Sequence, residues 1–187
     1  MAAYHVVLVH FPIALWMTAA LAIVWRALSD GPVALAIDRA LVPLLWLGLA
    51  SGVLAMLVGM RVWPWEAIST SPMGRNHILL AVWTTAYWAV MLITRILQGE
   101  ALWSGLGRWI MAGLALLGAG LLGITGTLGG HLAGIYTDLS KVLRLLGWEV
   151  QRTFYVPDTT LMLLVAASVL LLVVAWLAAR RGTPAGN

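Results

Sequence analysis

Four histidines, His5, His10, His77 and His131, are the residues of this chain best suited to chemistry, because it contains no cysteine and few charged groups. Without thiols there can be no disulfide, thiolate metal site or covalently attached c-type haem, so a metal or cofactor must be held by His, Met, carboxylate or backbone. Two histidines sit in the opening stretch "YHVVLVHFPIALW", residues 4–16, one opens the apolar run from position 77, and the last closes the run "LGGHLAG". Imidazoles on facing helices are how membrane proteins hold a b-type haem, one axial ligand from each helix. His10 and His77 are the expected axial pair. His5 and His131 are the expected ligands of a second haem, or alternative ligands to the first. Met17, Met56, Met60 and Met73 could replace one imidazole, although methionine in apolar helices ordinarily fills space.

The elements that must carry these side chains follow from composition. Of 187 residues, 62% are hydrophobic and 10% charged, with a mean hydropathy of +0.96, which a soluble domain with its usual quarter of charged residues does not reach. The pattern is that of an all-α polytopic membrane protein. The formal charge of +4 would suggest nucleic acid in a soluble chain, but here Lys and Arg sit at the ends of apolar runs and read as topology determinants. Windows of about 19 residues give five spans: 6–25, 41–60, 77–96, 109–128 and 160–179. "SDGPVALAID" and "WPWEAISTSPMGRN" read as breaks between them. "LSKVLRLLGWEVQ" places Leu139, Val142, Leu143, Leu146 and Val150 at helical spacing with Lys141, Arg144 and Glu149 between, an amphipathic helix of the interface. The expected architecture is therefore an up-down four-helix transmembrane bundle with the histidine cluster (1–136), an interfacial segment (137–157), and a fifth transmembrane helix with a cytoplasmic tail (158–187).

The start "MAAY" lacks the basic region of a secretory signal, so the first helix is expected to be retained. Arg26, Arg39, Arg95, Arg108, Arg180 and Arg181 fall on one side of the fold, and Arg61, Arg75, Lys141, Arg144 and Arg152 on the other. That bias is slight. The uncharged start and the closing "ARRG" favour the N-terminus outside and the C-terminus in the cytoplasm. Threaded in this way, all four histidines reach the outer leaflet. Arg61 and Arg75 arrive there too, where haem propionates would seek guanidinium partners, although snorkelling is an equal explanation. His10 lies about 7–8 Å deeper than His5 at ~1.5 Å per residue, and five positions at about 100° turn the two rings to different faces. Pro12 frees the carbonyl of Leu8 and permits a bend beside His10. Trp46, Trp83 and Trp88 lie deep enough to pack on a cofactor or, more ordinarily, between helices. Gly48 and Gly52 form a GxxxG pair, and 109–130 is dense in glycine, so a helix or a porphyrin could approach closely.

"HVVLVHFPIAL", a histidine opening the third span and "LGGHLAG" closing the fourth resemble an uncharacterised family of small prokaryotic inner-membrane proteins with an HxxxxHFPIAL signature. The likeness covers about residues 4–136 and rests on His5, His10, Phe11, Pro12, His77, Gly129 and Gly130. Val6 stands where that family has Pro. The resemblance implies a four-helix membrane protein of the prokaryotic inner membrane, associated with redox complexes. With no phosphate loop, no nucleophile–base pair and no aqueous domain, the chain reads as a non-catalytic electron-transfer subunit of an oxidoreductase complex. Its expected cofactor is haem b, and its expected partners are other membrane subunits, a periplasmic c-type cytochrome or dehydrogenase, quinone and lipid, with no nucleic acid. The competing readings are a cofactor-free structural anchor and an outer-leaflet copper or zinc protein.

Overall fold

The computed structural model describes residues 2–152 and, beyond them, residues 159, 162, 163, 166, 167, 169, 170 and 173. The expected fifth span and the tail after it lie largely outside the described residues. Within the described residues the chain is helical throughout, with no strand. Helix α1 runs Ala2–Leu28, α2 Pro32–Arg39, α3 Leu41–Gly59, α4 Trp65–Thr70, α5 Pro72–Gln98, α6 Gly107–Leu132 and α7 Leu139–Leu145, with a 3-10 turn at Gly99–Trp103 before α6.

Four helical stretches are long and apolar enough to cross a membrane: Ala2–Leu28, Pro32–Gly59, Pro72–Trp103 and Gly107–Leu132. At ~1.5 Å per residue each exceeds a hydrocarbon core of about 30 Å, so their ends reach the polar interface. Two stretches expected to be breaks are largely helical. "GPVALAID" begins α2 because Pro32 stands at the first helical position, where a missing N–H is harmless, and an apolar run follows. At the other break Ser71 caps α5, its hydroxyl accepting the Gly74 N–H at 3.0 Å, so this span starts five residues before His77. Pro12 is buried within α1, which continues through it.

Helix α1 packs on α3 and α6, and α5 packs on α6 and α3, so α1 and α5 face each other diagonally. The core between them holds Trp16, Ile23, Leu45, Trp88, Met91 and Met111. At its centre Trp16 and Trp88 stack with ring centroids 5.8 Å apart and planes 8° from parallel. Leu143, Trp148 and Val150 form a smaller core with Leu128 on α6. The amphipathic helix expected to run to Val150 ends at Leu145, because Gly147 turns the chain at a φ of 85° and lets the Trp148 N–H return to the Leu143 carbonyl at 2.9 Å.

The end of the bundle opposite the histidines is closed by ions. The buried Asp38 carboxylate accepts from Arg95 Nη2 at 2.7 Å, from Arg95 Nε at 3.3 Å and from the Trp103 indole at 3.2 Å. Arg26 and Arg95 both lie against the Trp103 ring, 5.3 and 5.9 Å from its centroid. Glu100 joins Arg95 at 3.0 Å and Arg26 at 3.7 Å. Arg26 and Arg108 converge on Asp30, the latter at 3.0 Å. Arg26 and Arg95 thus serve as buried structural groups, beyond marking topology, and Asp38, in a stretch expected to be a break, is a buried charge on a helix.

Breaking a buried pair strands its partner, at a cost of about 3–5 kcal/mol, whereas replacing both members with apolar residues is often neutral. We predict that Asp38→Ala lowers the unfolding free energy of the detergent-solubilised chain by about that amount, and that Asp38→Leu with Arg95→Met recovers most of it. A denaturant titration checks both. Asp30, in the α1–α2 turn, is held below the usual carboxylate range by its bonds to Arg26 and Arg108. Its contribution is therefore present above about pH 4 and lost as pH falls below that. Acid titration of Asp30→Asn should consequently show a flatter fall in stability than the parent.

Candidate functional site

His5 and His77 occupy equivalent places on the two diagonal helices. The His5 ring is half-buried and its Nδ1 lies 3.0 Å from the Ala55 carbonyl on α3. The His77 ring, also half-buried, has Nδ1 3.1 Å from the Thr125 carbonyl on α6. A carbonyl can only accept, so both Nδ1 atoms carry the proton, and in the neutral ring both Nε2 lone pairs are left free. Each imidazole lies over a glycine four residues beyond that carbonyl. A Cβ on Gly59 would come within 2.8 Å of His5 Cε1, and one on Gly129 within 2.9 Å of His77 Cε1.

The equivalence extends down the bundle. Eleven residues after His5 comes Trp16, and eleven after His77 comes Trp88. Eleven residues before Gly59 is Gly48, and eleven before Gly129 is Gly118. The Trp16 indole lies on Gly48 and Gly52, where a Cβ on Gly52 would approach Cη2 to 2.7 Å; Trp88 lies on Gly118, where a Cβ would approach Cζ2 to 2.9 Å. Eleven residues are close to three helical turns, so each histidine and its tryptophan share a face. The bundle thus repeats one arrangement of rings on glycines in two hairpins, α1 with α3 and α5 with α6. The GxxxG pair therefore houses an indole, where a packed helix backbone was the ordinary expectation.

The other expected site residues lie elsewhere. His10 is exposed on α1, its Nδ1 2.5 Å from the Val6 carbonyl of its own helix, so it is not brought to His77. His131 is buried at the end of α6, edge-on to Tyr136 with centroids 4.8 Å apart, and neither ring nitrogen has a hydrogen-bond partner. Arg61 and Arg75 are exposed at the histidine end. Trp46 and Trp83 are exposed, 55% and 64%, and cannot pack on anything inside the bundle, whereas Trp88 is fully buried. Among the described residues no three His, Asp or Glu side chains gather as a metal-ion site. Thr125 is further fixed by the hydroxyl of Thr84 at 2.8 Å, a support that the sequence alone did not single out.

No protein-family model, curated protein or solved structure matches the chain. What fold and site define is a class: a four-helix bundle of apolar spans in which α1 and α5 each hold one imidazole by a carbonyl of the neighbouring helix.

Adding a methyl group under a stacked indole forces the core apart. Gly118→Ala is expected to cost about 1–3 kcal/mol of stability, while Gly113→Ala, with open space around its Cα, should cost nothing measurable. Comparing the two thermal midpoints tests the close approach.

Proposed function

We propose that the chain is a b-type haem electron-transfer subunit of a membrane redox complex, with His5 and His77 as the axial ligands. The observation that carries this reading is the symmetric pair of imidazoles on diagonal helices, each with Nδ1–H bonded to a backbone carbonyl and Nε2 free. Metal-bound histidines ordinarily make that second hydrogen bond, which fixes the tautomer and raises the basicity of the ligating nitrogen. Two ligands suffice for a haem iron, whereas a zinc site asks for three or four. Gly59 and Gly129 let each ring lie close against the neighbouring helix. When bound, the haem would supply one-electron chemistry at a potential tuned by its ligands and surroundings.

The work of the protein would be orientation and burial. Ala55 and Thr125 hold the rings, the helices exclude water around them, and Arg61 and Arg75 stand at the same end, where carboxylates at a membrane edge find guanidinium partners. His10, bonded to its own helix, is assigned no axial role. The N-terminus is outside in this reading, which puts the imidazoles near the outer leaflet of a prokaryotic inner membrane and makes a periplasmic cytochrome or dehydrogenase the natural partner. The likeness of "HVVLVHFPIAL" to the inner-membrane family signature agrees with it.

The test is a visible spectrum of the purified full chain, oxidised and dithionite-reduced, with metal analysis on the same sample. A Soret band with sharpened reduced bands is expected, abolished in His5→Ala and in His77→Ala and kept in His10→Ala. A colourless sample, whether it contains copper or zinc or no metal at all, overturns the proposal, as does a spectrum that needs His10. Gly59→Ala and Gly129→Ala should each weaken haem retention by roughly 10–100-fold, as changes next to a metal ligand do.

A further inference from the structure

Beside the paired imidazoles, on the far side of α6, is a cavity of about 150 Å³ between the end of that helix and the α7 segment. Its wall includes His131, Tyr136, Ser140, Arg144, Trp148 and Glu149. Two of these side chains are buried with polar atoms that nothing satisfies: both ring nitrogens of His131, which is 7% exposed, and the indole Nε1 of Trp148, which is 5% exposed. A buried donor without a partner costs roughly 1–3 kcal/mol, and two in one cavity mark a place built for a ligand.

The chemistry of the wall restricts what that ligand is. Arg144 and Glu149 are paired with each other at 2.9 Å, so the cavity offers no net charge and suits a neutral molecule. Tyr136 and Trp148 give it aromatic sides, and a cavity of about 150 Å³ holds one benzene ring. A neutral imidazole presents one N–H and one lone pair and an indole one N–H, so an occupant that meets both side chains offers two acceptor atoms, or a hydroxyl in place of one of them. Leu145 and Leu146 are exposed on the segment that covers the cavity.

We infer that this cavity is a headgroup site for a quinone, with its two carbonyl oxygens met by His131 and Trp148. A six-membered ring with oxygens at opposite ends satisfies both orphan donors, its reduced form can donate to the His131 lone pair, and its tail belongs in the bilayer. The inference rests on the haem reading for its purpose. His131 follows Gly129, the residue on which His77 lies, by two positions on α6, so the ring would sit within about one helix diameter, roughly 10 Å, of the proposed ligand.

The experiment is isothermal titration of the detergent-solubilised full chain with 2-decyl-1,4-benzoquinone, whose ring is otherwise unsubstituted, oxidised and reduced, with the visible spectrum taken on the same sample. One molecule per chain is expected to bind, with His131→Leu weakening it roughly tenfold, as loss of one hydrogen bond does. Trp148→Phe, which keeps the aromatic wall, should weaken it similarly, and the haem spectrum should survive in both variants. Absence of binding to the parent chain overturns the inference, and so does unchanged binding in both variants. A coloured protein that ignores the quinone sinks this inference and leaves the haem reading standing; a colourless protein that binds it does the reverse.

Discussion

The stacked indoles of Trp16 and Trp88 set the geometry on which the rest of the bundle depends. They bring the two diagonal helices into contact at the centre of the core, where each helix also packs on α3 and α6. Two flat rings 5.8 Å apart define the width of the core at that level, and each is seated on glycines of the neighbouring helix, so neither can retreat. Offset aromatic contacts are worth about 0.5–1.5 kcal/mol beyond the area they bury, a modest energy, but the steric constraint is much stiffer than the attraction.

At the opposite end the constraint is electrostatic. Asp38 joins α2 to α5 and the 3-10 turn by accepting from Arg95 and Trp103, and Arg26 on α1 lies against the same indole. Here the twofold likeness of the two hairpins is broken: the first turns through Asp30 and a full helix, the second through Gly99–Trp103. An ionic lock whose members come from different hairpins cannot form with the halves in exchanged places, so it specifies which hairpin is which. The apolar spans alone, alike in length and hydropathy, do not.

Much of this was legible in the sequence, and the rest was hidden for definite reasons. Four apolar runs of sufficient length announce the helices, and the alternation of their direction brings His5, His77 and His131 to one end. Which of His5 and His10 faces inward is a question of helical phase, and hydropathy has little to say in a helix apolar on nearly every side. The phase was recorded in the eleven-residue spacing from His5 to Trp16 and from His77 to Trp88, visible only when the two halves are laid over one another. Asp38 escaped because the Gly-Pro before α2 argues for a loop and window averaging dilutes one carboxylate. The reach of α7 was overestimated because its apolar spacing continues to Val150, while a single glycine at 147 reverses the chain. The cavity under that segment depends on contacts distant in sequence, and no local pattern announces it.

The repeat also says something about how a paired site can be divided. Each hairpin owns one of the two half-buried imidazoles, one of the stacked indoles and the glycines that receive them, and neither half holds both imidazoles. A lone hairpin could complete such a site only by meeting another copy across a dyad. Joining two copies in one chain removes the dependence on concentration, and it frees each half to change alone. The end of α6 shows the result: His131, two positions past Gly129, corresponds to Arg61, two positions past Gly59. One arm of the symmetric frame has become a buried chamber, and the other remains an exposed cation.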